Sequence, residues 1–347
     1  MHFYNTLVYW YLQNKRDLPW RKTKNPYLIW LSEIILQQTR VDQGLNYYLK
    51  FSETFPTVFD LANATEASIL KLWQGLGYYS RARNLHFSAK HIVNELNGEF
   101  PKSYNDLLKL KGVGDYTASA IASICYDEPT AVVDGNVYRV LSRYFGIHTT
   151  INSTKGIKEF KQLAQQLITS DSPGTYNQAI MEFGAKQCKP QNPDCSQCPL
   201  NEGCVALQKK LVSTLPVKEK KIKIKQRHFN YLVLNTNNHT FLQQRTAKGI
   251  WQNLYEFPLL ESEKELTYKE LSTSPILEQS FKGVNTSIQL FNHQTIIHKL
   301  SHQHLHTKFW IIVTDSLPPN TTSWNDFESY PVPILIHNFV ENFKNNQ

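Results

Sequence analysis

The chain has 347 residues, 41% of them hydrophobic, with 37 Lys and Arg against 29 Asp and Glu, a formal charge of +8. That length suits two domains rather than one, with enough apolar residues to fill both cores. No run approaches the roughly 20 apolar residues that span a bilayer. The opening Met1-His2-Phe3-Tyr4-Asn5 lacks the basic patch and apolar stretch of a secretory signal, so the protein is expected inside the cell, in the cytoplasm, without a membrane partner. The basic excess is compatible with a polyanion but does not identify one.

Residues 1 to about 207 read as helical. Phe3, Leu7, Trp10 and Tyr11 share one stripe, and Leu28, Leu31, Ile34 and Ile35 make another just after Pro26. Glu33 lies in the second stretch among Trp30, Leu31, Ile34 and Leu36, where desolvation would raise its pKa and keep it protonated. By position alone, an exposed helix glutamate is the plainer reading. Leu70, Leu72 and Trp73 close a helix before Gly75-Leu76-Gly77, and Tyr78 after it reads equally well as a core aromatic. Further helical patterns follow near 81–96, 115–126, 136–145, 157–169 and 175–186.

Leu107-Leu108-Lys109-Leu110-Lys111-Gly112-Val113-Gly114-Asp115-Tyr116-Thr117-Ala118 has the form of a helix–hairpin–helix. Gly112 and Gly114 are expected to permit positive φ and a close backbone approach. Gly114 opens a helix, whose free N–H groups favour an anion. Such a hairpin grips DNA phosphate without reading sequence. Asp134 sits just before the next helix and reads as its N-cap, a role compatible with a functional anion because capping donors favour the ionised form.

Four of the five cysteines follow the spacing Cys188-x6-Cys195-x2-Cys198-x5-Cys204. Four thiolates close a tetrahedral site around zinc or a 4Fe–4S cluster. Zinc sites usually repeat a short knuckle, and the long arms here suit the larger cluster. Cys125 stands apart and reads as a small buried apolar residue. From Lys209 to Arg227 there are eight basic residues and one acidic residue, Glu219. This is a solvated linker, with phosphate contact as a second possibility. Beyond it the pattern alternates: Phe229–Leu234 looks like a strand, Asn237-Asn238 a turn, Thr240–Gln243 a returning strand, and Ile288–Leu300 and Phe309–Val313 further strands. His298, His302, His304 and His306 would share one strand face, which invites a metal, although the spacing is not a recognised zinc pattern.

The hairpin, the segment Val132-Val133-Asp134-Gly135-Asn136-Val137 and the four-cysteine loop together resemble the endonuclease III superfamily of DNA glycosylases. Leu18-Pro19-Trp20-Arg21, Ser32–Thr39, Trp73–Asn84, Asn177-Gln178-Ala179 and Glu182–Ala185 narrow the resemblance to adenine-specific mismatch glycosylases of the MutY type. So do Gly249–Pro258 and Leu300-Ser301-His302 in the C-terminal half. The match is dense from about 3 to 208, patchy afterwards, and weak in 262–287 and 314–347.

The resemblance implies a fold of the α plus α/β kind. An all-helical helix–hairpin–helix glycosylase domain (1–207, with the iron–sulfur loop 188–204) leads through a basic linker (208–226) to a smaller Nudix-like α/β domain (227–347). It implies a monomer acting on double-stranded DNA with adenine opposite 8-oxoguanine or guanine, and one 4Fe–4S cluster on Cys188, Cys195, Cys198 and Cys204. Glu33 would protonate adenine N7, and Asp134 would stabilise the oxocarbenium-like sugar. Asn136 and Tyr116 would support that carboxylate or the attacking water. Gln38 and Tyr78 would fill or wedge the stack after base flipping, and Arg21 and Gln178 would line the adenine pocket. Gly112 and Gly114 would hold phosphate, and Ser301 and His302 would face the oxidised guanine.

Lyase members of the superfamily carry a lysine where this chain has Tyr116, so hydrolysis without strong strand cleavage is expected. The family usually has phenylalanine before the lesion-loop serine; Leu300 stands there instead. No Nudix metal box follows Gly249, which speaks against a nucleotide hydrolase. A noncatalytic iron–sulfur DNA-binding protein is the remaining alternative, opposed by Glu33 and Asp134 standing together in the family positions.

Overall fold

The structure, a computed structural model, describes residues 2–219, 224–236, 238–275, 277, 286–314, 318–319 and 321–345. The chain divides into two units, Met1–Asn63 with Arg83–Lys220, and Ala64–Ala82 with Lys221–Gln347. Residues 220–223 of the basic linker and Asn237 of the expected turn lie outside the described residues.

Helices account for the first unit. In chain order they are α1 (His2–Asn14), α2 (Pro26–Leu36), α3 (Val41–Thr54), α4 (Val58–Asn63), α5 (Glu66–Leu72, in the second unit), α6 (Ser80–Leu96), α7 (Tyr104–Leu107), α8 (Asp115–Tyr126), α9 (Gly135–Phe145), α10 (Thr154–Leu167), α11 (Pro173–Lys186) and α12 (Val205–Gln208). Pro26 opens α2 at a position where its missing N–H costs nothing, and the Asn25 side chain accepts from the N–H groups of Tyr27 and Leu28. α2 is buried nearly all round from Tyr27 to Ile35, because α3 and α8 pack on it. α11 lies against α1, α8 and α9.

α3 carries no element expected from the sequence pattern. Its inward face is Gly44, Tyr48 and Phe51. A Cβ at Gly44 would stand 2.6 Å from Leu36 Cδ2, the tip of a side chain that can turn aside, and a glycine in the stripe hides the helical period.

The second unit is built on one sheet. Its strands are β1 (Lys225–Asn235), β5 (Leu259–Ser262), β6 (Thr286–Leu290), β7 (Ile296–Lys299) and β8 (Gln303–Thr314). Short pairs β2 (His239–Thr240) with β9 (Thr322–Ser323), and β3 (Gln243–Gln244) with β4 (Tyr255–Glu256), stand outside it. The order is β5-β1-β8-β6, with β7 also on β8; β1 and β8 run parallel and the other pairs antiparallel. Leu232, Leu234, Trp310 and Ile312 bury one face with Leu271 of α13 (Tyr268–Ser272). On the other face Phe309 stacks on Phe339 of α14 (Ile334–Lys344), centroids 4.0 Å apart. With both faces covered, Phe229–Leu234 is apolar almost without interruption.

Three expectations for this region change. Ile288–Leu300 is not one strand: β6 ends at Leu290, β7 starts at Ile296, and each pairs with a different stretch of β8. The four histidines do not share a face. His298 is opposite Leu305, whereas Lys299 and Ile297 are opposite His304 and His306, and His302 precedes the strand. Side chains alternate along a strand, so His298 points to the face away from His304 and His306, toward Trp251. Thr240–Gln243 is likewise divided, Thr240 pairing with Thr322 and Gln243 with Glu256.

Candidate active site

Asp134 caps α9. Its carboxylate accepts from the backbone N–H groups of Asn136 and Val137 at 2.9 and 2.8 Å, and from Asn136 Nδ2 at 2.7 Å. Burial pushes its pKa up, and the three N–H donors and Arg139 oppose that rise. Asn136 Oδ1 in turn accepts from Arg139 Nη2 at 2.9 Å. The same guanidinium donates to Gly184 O at 2.5 Å and to Cys188 O at 2.7 Å. One arginine thus ties the cap of α9 to the end of α11 and to the first cysteine of the loop.

Glu33 is buried on α2 and its carboxyl is pushed up to about 7. Burial is the main cause; a hydrogen bond from Tyr116 acts against it and the Asp134 charge adds to it. The Tyr116 hydroxyl, on α8, also stands 3.0 Å from Met181 Sδ, which competes for its single proton. Burial, then the charges of Glu33 and Asp134, lifts its phenol far above the usual range. Glu33, Tyr116, Asp134 and Asn136 therefore come from three helices into one cluster. Cys125 borders it: burial and the Glu33 charge push its thiol up to about 12, which makes it inert.

A second network lies along α11. Glu182, 1% exposed, accepts from Arg16 Nε and Nη2 at 2.9 and 2.6 Å and from Arg21 Nη2 at 2.7 Å. Burial would raise its pKa, but the two guanidinium groups outweigh it and hold the carboxyl well below the usual range. Gln178 accepts from the Tyr11 hydroxyl at 2.8 Å, and the Arg21 guanidinium sits over the Tyr11 ring. Arg16, Arg139 and Met181 were not singled out from the sequence. Their roles rest on contacts across long stretches of chain, which no local pattern carries.

Cys188, Cys195, Cys198 and Cys204 line one cavity with Arg143, and none of the four is in a disulfide. Arg143 Nη1 stands 3.5 Å from Cys188 Sγ. Burial raises the Cys195, Cys198 and Cys204 thiols, Cys198 to about 11. Four sulfurs around one void with a guanidinium beside them fit a group that binds thiolates and carries negative charge.

In the hairpin, Gly112 has φ +85 and a Cβ there would meet Asn84 Cβ at 2.8 Å. Gly114 differs from expectation. Its φ is −97, in extended backbone any residue adopts, and it serves as the N-cap of α8 with open space where a Cβ would stand. Gln38 follows α2 at φ 57 and Tyr78 has φ 49, a region non-glycine residues avoid unless their surroundings hold them there. Tyr78 is nearly half exposed, and its hydroxyl hydrogen-bonds the Ser301 hydroxyl. Ser301 and His302 are exposed in the β7–β8 turn, closed by Leu300 N–H donating to Gln303 O at 2.9 Å. α5 and the turn after it join this unit through Glu66, which accepts from Asn253 Nδ2 at 2.5 Å, and Lys71, 3.4 Å from Glu328.

Three family models match the chain: HhH-GPD superfamily base excision DNA repair protein over residues 31–167, the iron–sulfur binding domain of endonuclease III over 188–204, and a NUDIX domain over 230–342. The adenine DNA glycosylase of Buchnera aphidicola subsp. Baizongia pistaciae (strain Bp) is 39% identical over 319 residues, 90% of this chain and 86% of that protein. That of Buchnera aphidicola subsp. Schizaphis graminum (strain Sg) is 33% identical, covering 99% of this chain and 90% of its own. Among solved structures, a thermostable thymine-DNA glycosylase is similar with a TM-score of 0.56 at 30% identity, over 60% of this chain and 95% of that one. No helix among the described residues is long and apolar enough to cross a membrane.

Proposed function

The chain belongs to the adenine DNA glycosylase family, and from that membership we propose that it excises adenine lying opposite 8-oxoguanine, or opposite guanine, in duplex DNA. The observation that carries the mechanism is the pairing of Glu33, held near pKa 7, with the capped Asp134 in one buried cluster. Glu33 delivers its proton to adenine N7, so the base leaves with the electron pair of the N-glycosidic bond. The sugar then carries oxocarbenium-like charge, which the ionised Asp134 stabilises. Asn136 and Tyr116 hold the two carboxyl groups in place. Water adds at the sugar carbon and loses a proton to Glu33, which regenerates the acid and leaves an abasic site. Tyr116 has no amine to form a Schiff base, so the strand stays uncut.

Residues 1–207 carry excision and 227–347 lesion recognition, joined by the basic segment 208–226. The hairpin glycines Gly112 and Gly114 take phosphate. Arg21 and Gln178 line the adenine pocket. Gln38 and Tyr78 enter the stack, and Ser301 and His302 meet the oxidised guanine; the Tyr78–Ser301 hydrogen bond supports a shared role for those two. The NUDIX-like region does not hydrolyse nucleotides. Its buried Glu256 is engaged by Arg245 and Tyr231 rather than open to a metal. The cofactor is one 4Fe–4S cluster, with Cys188, Cys195, Cys198 and Cys204 as ligands. Bound there it would supply rigidity to the loop, beside which Lys186, Lys189, Lys209 and Lys210 face phosphate. The protein works as a monomer inside the cell, on the nucleoid.

The test is single-turnover excision on duplexes carrying A opposite 8-oxoguanine, A opposite G, A opposite T, and thymine glycol opposite A. Abasic product from the first, with little from A opposite T, supports the assignment. Cleavage of the thymine-glycol strand instead would move the chain to the lyase branch.

A further inference from the structure

The histidines of β8 draw in a partner that the sequence pattern did not suggest. His306 stands directly opposite His228 of β1 in the parallel register, and the two rings stack with centroids 4.9 Å apart at 26°. Glu265, between β5 and α13, completes a group whose donor atoms all lie within 4.8 Å of one another. We propose that His228, Glu265 and His306 form a binding site for a divalent zinc-class cation that ties β1, β8 and the β5–α13 turn together.

The chemistry of the donors is the first argument. Two imidazoles and one carboxylate are a zinc donor set, with a fourth position open to water. The state of the two rings is the second. His228 Nδ1 is buried and has no hydrogen-bond partner, an arrangement that native interiors rarely leave uncompensated. His306 Nε2 lies 2.8 Å from Gln226 Oε1. An amide oxygen only accepts, so the ring proton sits on Nε2 and the Nδ1 lone pair is free. A metal-binding histidine is typically held this way, its second nitrogen donating to an oxygen behind it.

Tetrahedral zinc at about 2.1 Å from each ligand needs donors closer than 4.8 Å, so the side chains must draw in by about 1 Å. The Glu265 side chain is 47% exposed and can turn inward by giving up its hydrogen bond to Thr295. Lys308 opposes the site: its Nζ stands 3.5 Å from the Glu265 carboxylate and already neutralises part of its charge. Lys308 therefore limits the affinity, and that gives the proposal a signature of its own.

The experiment titrates zinc into the full, cluster-loaded chain against a chromophoric chelator, with iron content followed in parallel. One zinc per chain is expected with iron retained. Glu265→Gln and His306→Gln each weaken it about tenfold or more, and Gln226→Leu about 10- to 100-fold by freeing the His306 ring. Lys308→Met tightens it. Glu265 is on the surface, so its variant folds, and adenine excision by that variant stays at the parent level. Zinc that displaces iron would belong to the cysteines and would overturn the proposal. So would affinity unchanged in Glu265→Gln and His306→Gln, or no zinc bound at all.

Discussion

Replacing Glu33 by glutamine should slow excision severely and, as pH rises, make the protein more stable relative to the parent. The carboxyl moves from an ordinary 4.5 to about 7 because it is buried. At about 1.4 kcal/mol for each pH unit, the folded state favours the protonated form by roughly 3 kcal/mol. The sign follows from the folded pKa being the higher one. The stabilisation is complete below about pH 4.5 and lost as pH rises through 7. Roughly 1 kcal/mol is gone by pH 5.5, and the remaining 2 or so disappears between about pH 5.5 and 8. Glutamine carries no charge to bury, so denaturation of Glu33→Gln against the parent should show the gap moving about 2 kcal/mol in the variant's favour over that window. Excision should fall by about 10²- to 10⁴-fold, the usual worth of a positioned acid, with duplex affinity kept. The parent's single-turnover rate should itself decline about tenfold per pH unit above 7 as the acid is lost. Excision surviving in the variant, or a stability gap that does not move with pH, would refute the assignment.

Asp134→Asn keeps an acceptor for the helix cap but removes the anion and turns an N–H toward Asn136 Nδ2; single-turnover excision should fall about 10²- to 10³-fold at unchanged binding. Arg139→Gln cuts the tie from Asn136 to Cys188 O, so the cluster's visible absorbance and the excision rate should decline together; decline of one alone would break the connection. Gly112→Ala forces a side chain into φ +85 against Asn84. It should cost about 1–3 kcal/mol and weaken binding of matched and mismatched duplexes alike, read by titration of both. Ser301→Ala removes the Tyr78 hydrogen bond and should narrow the preference for A opposite 8-oxoguanine over A opposite G by about fivefold, roughly 1 kcal/mol, in paired rate measurements.

What the sequence alone determined is local. A helix period, a proline or asparagine at a helix start, the cysteine spacing and the cap at Asp134 all act within a few residues. α1, α2, α8, α9 and α11 were therefore legible, and so were the residues each one carries. α3 was not, because Gly44 interrupts its stripe where Leu36 of another helix lies against it. The site needed more. Glu33 lies 83 residues before Tyr116 and 101 before Asp134, and only packing α2, α8 and α9 together buries Glu33 and turns an ordinary carboxyl into an acid near pKa 7. The Arg16–Glu182–Arg21 network and the Arg139 tie are likewise contacts across long stretches of chain. Register decided the rest. The pattern His298, His302, His304, His306 looked like one face until the turn at Leu300 sent β7 back along β8, and the partner His306 acquired was His228 on a parallel strand. Desolvation and strand register are properties of neighbours distant in sequence, which only the folded chain supplies.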